Sequence, residues 1–167
     1  QPGQKVLFQW QRQEPHRRSI LPRSASGRWS WMRLWLKGQQ KINFFRLDQG
    51  SALDQPTFYE WLSTPFQIQK FAAVLGHPVF HSRTPLEHQE YFERKKWPVF
   101  SIDIETEEFE EALPFLEKMG LMAAAVTSPL KFKAYRWVEE KSPIAKELRS
   151  VNTLAKSDLW VGHNTDV

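Results

Sequence analysis

The sequence predicts an α/β fold, a mainly parallel sheet with helices on both faces, and three observations lead to it. Short apolar segments alternate with amphipathic ones from residue 71 onward, as expected of strand–helix–strand units. Residues 121–126 are apolar throughout, which indicates a strand buried on both faces of a sheet. Apolar residues make up 41% and charged residues 25% of the 167-residue chain, close to globular averages, which argues against disorder.

The first elements of this region follow in order. Residues 71–75 form a short apolar strand that Gly76 stops. Thr84 and Glu87 make a capping box, which places the start of a helix there with Thr84 as its N-cap. Residues 99–104 form the second strand.

The alternation continues to the end of the chain. Four apolar residues at helical spacing precede Gly120, a typical C-cap: Phe109, Leu113, Leu116 and Met119. After the strand at 121–126, Ser128-Pro129 opens one helix and Ser142-Pro143 a shorter one. The last two strands are residues 151–154 and 159–161.

Residues 1–65 are expected to form a separate domain, followed by a second domain over residues 66–167. The apolar pattern of the first domain is uneven. It predicts a strand at 19–22, a helix at 31–36 closed by Gly38, a buried strand at 42–47 and a helix at 57–62. Ser63, Thr64 and Pro65 then form a linker.

The first domain is basic and rich in tryptophan. Residues 1–65 contain ten Lys and Arg against four Asp and Glu, and five of the eight Trp. One interpretation is a nucleic-acid-binding arm, acting through phosphate pairing and base stacking. The other is a folded unit whose interior these side chains pack. The basic residues are scattered rather than clustered, which favours packing, so we expect no nucleic-acid partner.

The composition also excludes several classes of protein. The chain contains no cysteine, which excludes a disulfide scaffold, a Cys-ligated metal and a thiol nucleophile. The sequence has no run of roughly 18–20 apolar residues and its first residues lack the apolar core of a signal peptide. We therefore expect a cytoplasmic protein with no membrane partner, and the oligomeric state stays open.

Polar segments fall at the predicted ends of strands, where parallel sheets bind their ligands. They are residues 81–84, 127–131, 151–153 and 164–166. Two of them open helices, whose free N–H groups favour a carboxylate or a phosphate. Hydroxyls of Ser82, Thr84 and Thr127 would suit a small polyol acid. The alternative is that Thr84 and Ser128 only cap their helices.

Lys131 and Asp166 are the acid–base candidates, because a partly desolvated lysine beside a carboxylate can transfer a proton at neutral pH. The alternative is that one is a solvated helix residue and the other a turn residue. No metal site is expected, since Pro78 keeps His77 and His81 from sharing a helical face. Glycines stand singly, without a G-x-G-x-x-G or Walker A loop, so no cofactor-binding residues are expected in this chain.

These segments resemble the substrate-binding domain of shikimate dehydrogenase. The family motif G-x-P-x-x-H-S-x-S-P-x-x-H is similar to residues 76–88, with Thr84 in place of the second serine. N-V-T-x-P-x-K is similar to residues 125–131. A-V-N-T-L and G-x-N-T-D are similar to residues 150–154 and 162–166. The resemblance is specific because four motifs occur in the family's order.

The resemblance implies reversible, NADP-dependent reduction of 3-dehydroshikimate to shikimate. The substrate-binding residues that it implies are Ser82 and Thr84 for the carboxylate and, for the hydroxyls, Thr127, Asn152 and Asp166. Lys131, together with Asp166, would protonate the developing alkoxide. The substrate would be the small-molecule partner of this chain.

Two departures from the family qualify this expectation. The asparagine before Val-Thr is Ala125 here, so one hydrogen bond to substrate is missing and binding weakens by roughly 1 kcal/mol. The family's nucleotide-binding domain, which follows N-T-D and holds NADP, is absent from this sequence. The chain alone is therefore expected to bind substrate without transferring hydride. The alternative is a non-catalytic binding or regulatory module on the same scaffold.

Residues 1–65 have a fainter resemblance. Residues 51–56 are similar to the S-A-x-x-Q-P loop of type I 3-dehydroquinate dehydratase, a β/α barrel. The resemblance implies that this part is a C-terminal remnant of such a barrel, as in fusions of dehydratase with dehydrogenase. It further implies that Ser51 and Gln55 touch substrate and that Arg33 binds a carboxylate.

Overall fold

The computed structural model describes residues 27–40, 43–47, 52–79 and 89–166. The predicted strand at 19–22 and the polar segment at 81–84 lie outside these residues, as does the capping box at Thr84. The chain divides into two compact units, unit 1 (Gln1–Gln67) and unit 2 (Ile68–Val167).

Unit 1 contains two short helices. Helix α1 spans Ser30–Trp35 and is followed by a 3-10 turn at Lys37–Gln39. Helix α2 spans Phe58–Ser63 and begins with a capping box. There, Thr57 Oγ1 accepts from the Glu60 backbone N–H at 3.2 Å, and Glu60 Oε2 accepts from the Thr57 N–H at 2.7 Å. Both helices lie where the apolar pattern predicted them.

The buried strand predicted at 42–47 is wrong for its described residues, 43–47. Their backbone makes an isolated parallel bridge, between Arg46 and Thr57. Thr57 is already the N-cap of α2, so its chain turns into the helix and cannot extend a ladder. The apolar side chains of the segment are exposed instead, Phe44 by 55% and Leu47 by 78%. The predicted barrel remnant stays a prediction.

Charged side chains are buried in unit 1 beside its tryptophans. Arg33 donates to Asp54 at 2.8 Å, and both side chains are 5% exposed. Lys37 is also buried and donates to the backbone oxygens of Trp61 and Thr64, at 2.5 and 2.8 Å. Burial lowers the pKa of the Lys37 ammonium. These contacts favour the interpretation that basic and aromatic residues pack the interior.

Unit 2 is built on one six-stranded sheet. Its strands are β1 (Phe71–Gly76), β2 (Val99–Asp103), β3 (Leu121–Val126), β4 (Glu140–Lys141), β5 (Thr153–Lys156) and β6 (Trp160–His163). They lie in the order β2-β1-β3-β5-β6-β4. Strand β5 is antiparallel to both neighbours, and the other pairs are parallel. Five strands therefore point one way, which confirms the predicted α/β fold with a mainly parallel sheet.

Helices alternate with these strands. They are α3 (Gln89–Arg94), α4 (Phe109–Lys118), α5 (Lys131–Trp137) and α6 (Pro143–Leu148). Ser142 caps α6 as expected, since its side chain accepts from the Ala145 N–H at 3.2 Å. Ser128 does not cap α5, because that helix starts three residues later and has Leu130 as its N-cap. Among the described residues, no helix combines the length and apolar composition needed to cross a bilayer.

The core of unit 2 centres on β1, which is buried at all six positions. Its Phe71 ring lies 5.4 Å from that of Phe100 on β2. Strand β3 was expected to be buried throughout, but three of its residues are half-buried: Met122, Ala123 and Ala125. The fully covered strand is β1, which lies between two strands of five and six residues, whereas β3 borders the four-residue β5.

Candidate active site

The described polar segments converge on one edge of the sheet in unit 2. Strands β1, β3 and β6 point to this edge with their carboxyl ends, and the reversed strand β5 begins there. Residues 127–131, 151–153 and 164–166 therefore lie at the same edge. Residues 151–153 lie at the start of β5, whereas the other two segments follow strands. Because β5 is antiparallel to its neighbours, its start lies at the same edge as their ends.

Close contact between β1 and the turn after β3 shapes the first part of the site. The Thr127 N–H donates to the Leu75 oxygen at 2.8 Å. A Cβ atom on Gly76 would lie 2.3 Å from Thr127 Cγ2, so only glycine fits at the end of β1 without displacing Thr127. The His77 N–H donates to the Ser128 oxygen at 3.1 Å and continues this contact.

Lys131 and Asp166 form an ion pair at this edge. Lys131 is the first residue of α5, and its backbone oxygen accepts from the Val151 N–H at 3.2 Å. Its Nζ lies 2.5 Å from Asp166 Oδ2, and the side chains are 34% and 53% exposed. The ion pair is therefore accessible to a ligand from solvent.

Asn152 holds the other oxygen of this carboxylate. Its Nδ2 donates to Asp166 Oδ1 at 2.8 Å and to Thr165 Oγ1 at 3.0 Å. Its Oδ1 accepts from the Thr165 N–H at 3.1 Å and from Thr153 Oγ1 at 2.9 Å. Both oxygens of Asp166 are thus oriented by protein donors, one charged and one neutral.

Asn164 orients the backbone of the same turn. The residue is buried, its Nδ2 donates to the Ser150 oxygen at 3.0 Å, and its Oδ1 accepts from the Asp166 N–H at 2.9 Å. Sequence reasoning did not single out Asn164 or Thr165 as functional. The signal was present, since both belong to the segment similar to G-x-N-T-D.

The electrostatics of the site follow from these contacts. The hydrogen bond from Lys131 lowers the pKa of the Asp166 carboxyl, and the hydrogen bond from Asn152 lowers it further. Desolvation raises this pKa but is outweighed. Asp166 is therefore ionised at neutral pH. An ammonium donor beside a carboxylate acceptor can bind vicinal oxygens of a polyol and supply a proton to one of them.

The other predicted site residues are placed as follows. Ser51, Ser82 and Thr84 lie outside the described residues. Thr127 is half-buried at the edge described above. In unit 1, the Gln55 backbone oxygen accepts from Arg46 Nε at 2.9 Å. Arg33 in the same unit is buried against Asp54, so a carboxylate of the protein itself is bound to its guanidinium.

Replacing Lys131 with methionine, which keeps the chain length and removes the charge, is expected to raise the pKa of Asp166. The variant removes the largest cause of the lowered pKa, so the carboxyl protonates at a higher pH than in the parent. Carboxyl carbon shifts of Asp166, followed by NMR across the acidic range up to neutral pH, measure the change. A midpoint equal to that of the parent would show that the ion pair does not form in solution.

The residues present do not fit a dinucleotide cofactor. Such cofactors place their pyrophosphate on a glycine-rich turn between a strand and a helix. Gly76 ends β1, but the space above its Cα is occupied by the Thr127 side chain. Gly162, one residue before the end of β6, is enclosed as well, since a Cβ atom there would lie 2.7 Å from Val151 Cγ2.

Residues 74–154 match the sequence profile of the family described as "Shikimate dehydrogenase substrate binding domain". The matched stretch includes Lys131 and Asn152 and ends before Asp166.

Curated relatives of this chain include proteins named shikimate dehydrogenase (NADP(+)). The protein from Syntrophobacter fumaroxidans is 33% identical over 103 residues, which are 61% of this chain and 36% of that protein. The protein from Xanthomonas euvesicatoria pv. vesicatoria is 39% identical over 97 residues, which are 56% of this chain and 34% of that protein. The chain therefore spans about a third of the length of these relatives.

The fold also has a counterpart among solved structures. The crystal structure of shikimate 5-dehydrogenase from Thermus thermophilus, in complex with shikimate, superimposes with a TM-score of 0.53 and 30% sequence identity. The alignment covers 58% of this chain and 38% of that chain. The mixed sheet with its helices thus matches the fold of the aligned part of a shikimate dehydrogenase structure.

Proposed function

We propose that unit 2 is a substrate-binding domain of the shikimate dehydrogenase family and binds shikimate and 3-dehydroshikimate for an NADP-dependent oxidoreductase. The observation that carries the proposal is the contact between Lys131 and Asp166 at 2.5 Å. Its two residues come from segments that match separate family motifs, 35 residues apart, and the fold brings them together with Asn152.

The proposed chemistry at this site is the proton half of a ketone reduction. Reduction adds a hydride to the carbonyl carbon and a proton to its oxygen. Lys131 would donate that proton from its ammonium group to the developing alkoxide. Asp166 and Asn152 would bind the neighbouring hydroxyl, which fixes the ring with its carbonyl oxygen toward Lys131.

Other residues complete the proposed binding site. Ser82 and Thr84 would hold the substrate carboxylate, and Thr127 would bind a further hydroxyl. Ala125, at the end of β3, offers no side-chain donor where the family has asparagine. The lost hydrogen bond weakens substrate binding by about 1 kcal/mol.

The proposal extends to the rest of the protein. NADP would be bound by a domain outside this sequence, because the described residues do not fit it. Residues 1–65 would be the end of a dehydroquinate dehydratase barrel fused to the dehydrogenase, with Ser51 and Gln55 as its substrate contacts. Arg33 is left out of these contacts, because its buried guanidinium is already paired with Asp54. The support for this fusion is the S-A-x-x-Q-P similarity of residues 51–56.

Titration of the chain with shikimate tests the proposal. Amide and side-chain resonances of Lys131, Asn152 and Thr127 are expected to shift with saturation, because these residues would contact the ligand directly. Cyclohex-1-ene-1-carboxylate, a ring acid without hydroxyls, serves as the control and is expected to leave Asn152 unshifted. If saturating shikimate moves none of these resonances, the site assignment is wrong.

One observation favours a second candidate, a non-catalytic module that binds the same class of ligand. Ala125 removes a polar partner from the site while the scaffold and the ion pair are kept. A module of this kind would bind shikimate without supporting its oxidation. Measuring shikimate oxidation by a chimaera with the Thermus thermophilus enzyme separates the two functions.

A further inference from the structure

A second oriented polar group lies at the carboxyl edge of the sheet, beside the site already described. His77 follows β1 directly, and its Nδ1 lies 2.7 Å from Asp103 Oδ1 at the end of β2. The two side chains are exposed very differently: that of Asp103 by 4% and that of His77 by 47%. A buried carboxylate thus orients an imidazole whose outer part faces solvent.

The chemistry of the pair defines what the imidazole offers to a ligand. An ionised carboxylate can only accept hydrogen bonds, so the Nδ1 atom of His77 is the donor. In a neutral imidazole the other nitrogen, Nε2, then carries a lone pair and acts as an acceptor. A hydroxyl group of a ligand is the matching donor.

Holding the sheet together does not require this pair. Strands β1 and β2 are already joined by a parallel ladder that extends to Gly76 and Asp103. The Ile104 N–H also donates to the Gly76 oxygen, at 3.0 Å. Burying the carboxylate of Asp103 costs free energy. The strand ladder alone does not explain why this carboxylate contacts and orients the half-exposed His77.

The position of His77 relates it to the candidate active site. Its backbone N–H is bonded to Ser128, three residues before Lys131, and Gly76 beside it contacts Thr127. From these contacts we infer that His77 is an additional ligand-binding residue, whose Nε2 accepts a hydrogen bond from a ring hydroxyl of the bound polyol acid. Asp103 is its positioning residue. The inference rests on the proposed function of unit 2.

The experiment compares the chain with its His77→Asn variant in binding to shikimate and to its 3-, 4- and 5-deoxy analogues, by calorimetry. Asparagine can still donate to Asp103 from the position of Nδ1 but has no atom in place of Nε2. The variant is expected to bind shikimate about three- to tenfold more weakly, as for the loss of one neutral hydrogen bond. One deoxy analogue is expected to bind chain and variant equally, which identifies the hydroxyl that His77 contacts.

Imidazole 15N shifts provide the second measurement and separate the two proposals. In the neutral imidazole, Nδ1 carries the proton and Nε2 is bare, and we expect a change at Nε2 on saturation with shikimate. If shikimate shifts Lys131 and Asn152 but leaves the His77 nitrogens and the affinity of His77→Asn unchanged, the role of His77 is refuted while the proposed function stands. If shikimate does not bind the parent chain at all, the proposed function itself fails.

Discussion

Lys131→Met is expected to reduce kcat for shikimate oxidation by about 10²- to 10⁴-fold, the usual contribution of a positioned general acid–base group. The measurement uses a chimaera in which residues 68–166 replace the matched region of the Thermus thermophilus shikimate 5-dehydrogenase. The side chain of Lys131 provides the ammonium that lies 2.5 Å from Asp166. Methionine keeps its length and apolar stem, so KM is expected to change far less than kcat.

Lys133→Met is the matched control for this measurement. Lys133 lies in the same helix, α5, and pairs with Glu110 at 3.2 Å, so its loss is expected to leave kcat unchanged. Equal activity of the Lys131 and Lys133 variants would contradict the acid–base role. A chimaera that binds shikimate without oxidising it, while the parent Thermus enzyme is active, would favour the non-catalytic module.

Arg33→Met is expected to destabilise unit 1 by about 3–5 kcal/mol, the range measured when one partner of a buried ion pair is removed. The substitution keeps most of the apolar volume but leaves the carboxylate of Asp54, 5% exposed, without its guanidinium donor. Urea unfolding at neutral pH, followed by tryptophan fluorescence, measures the loss, since Trp29 and Trp31 are buried at the start of the helix that contains Arg33.

The double variant Arg33→Met/Asp54→Leu is the informative control for this prediction. It removes both charges together, so no uncompensated charge is buried, and most of the lost stability is expected to return. If both variants are equally unstable, packing and not charge explains the loss. If Arg33→Met alone unfolds at the same urea concentration as the parent, the two side chains are not paired in solution.

The sheet of unit 2 was largely predictable because its apolar segments are short, separated and bounded by clear end signals. Gly120 illustrates this: it follows Met119, the C-cap of helix α4, and its φ of +106° suits glycine, so the helix ends where the apolar spacing stops. Strand β4 was not predicted, because its two residues, Glu140 and Lys141, carry no apolar signal. Its pairing with β6 is fixed by tertiary contacts alone.

The two wrong predictions, the strand at 42–47 and the helix start at Ser128, have related physical reasons. The segment at 43–47 has the composition of a buried strand, but the chain turns into α2 before a partner strand can form. Ser128 precedes a proline and resembles a helix start, yet it lies in a turn in which the Leu130 N–H donates to the Thr127 oxygen at 2.9 Å. In both cases the residue types of a short segment suggested an element, and the conformation of the chain that follows the segment prevented that element from forming there.

For the candidate site, sequence motifs supplied the ion pair and Asn152, but not the contacts by which Asn164 holds the turn around Asp166. Asn164 forms hydrogen bonds with two backbone groups, the Ser150 oxygen and the Asp166 N–H, and composition and periodicity predict neither of them. Asp103 ends a strand that pairs with β1, so its contact with His77 follows from the order of strands in the sheet. Spatial neighbours of this kind require the register of the strands to be known.

The antiparallel pair of β5 and β6 makes the site sensitive to chain length at a distance. Thr153 is opposite His163, and the pair closes through the turn around residues 157–159 at the far end. Surface turns usually tolerate insertions and deletions. Here, gaining or losing one residue in that turn would slide β6 by one position, and every side chain after it would swap faces. Asp166 would then lose its contacts with both Asn152 and Lys131, so a length change at the far end of the sheet would take the candidate site apart.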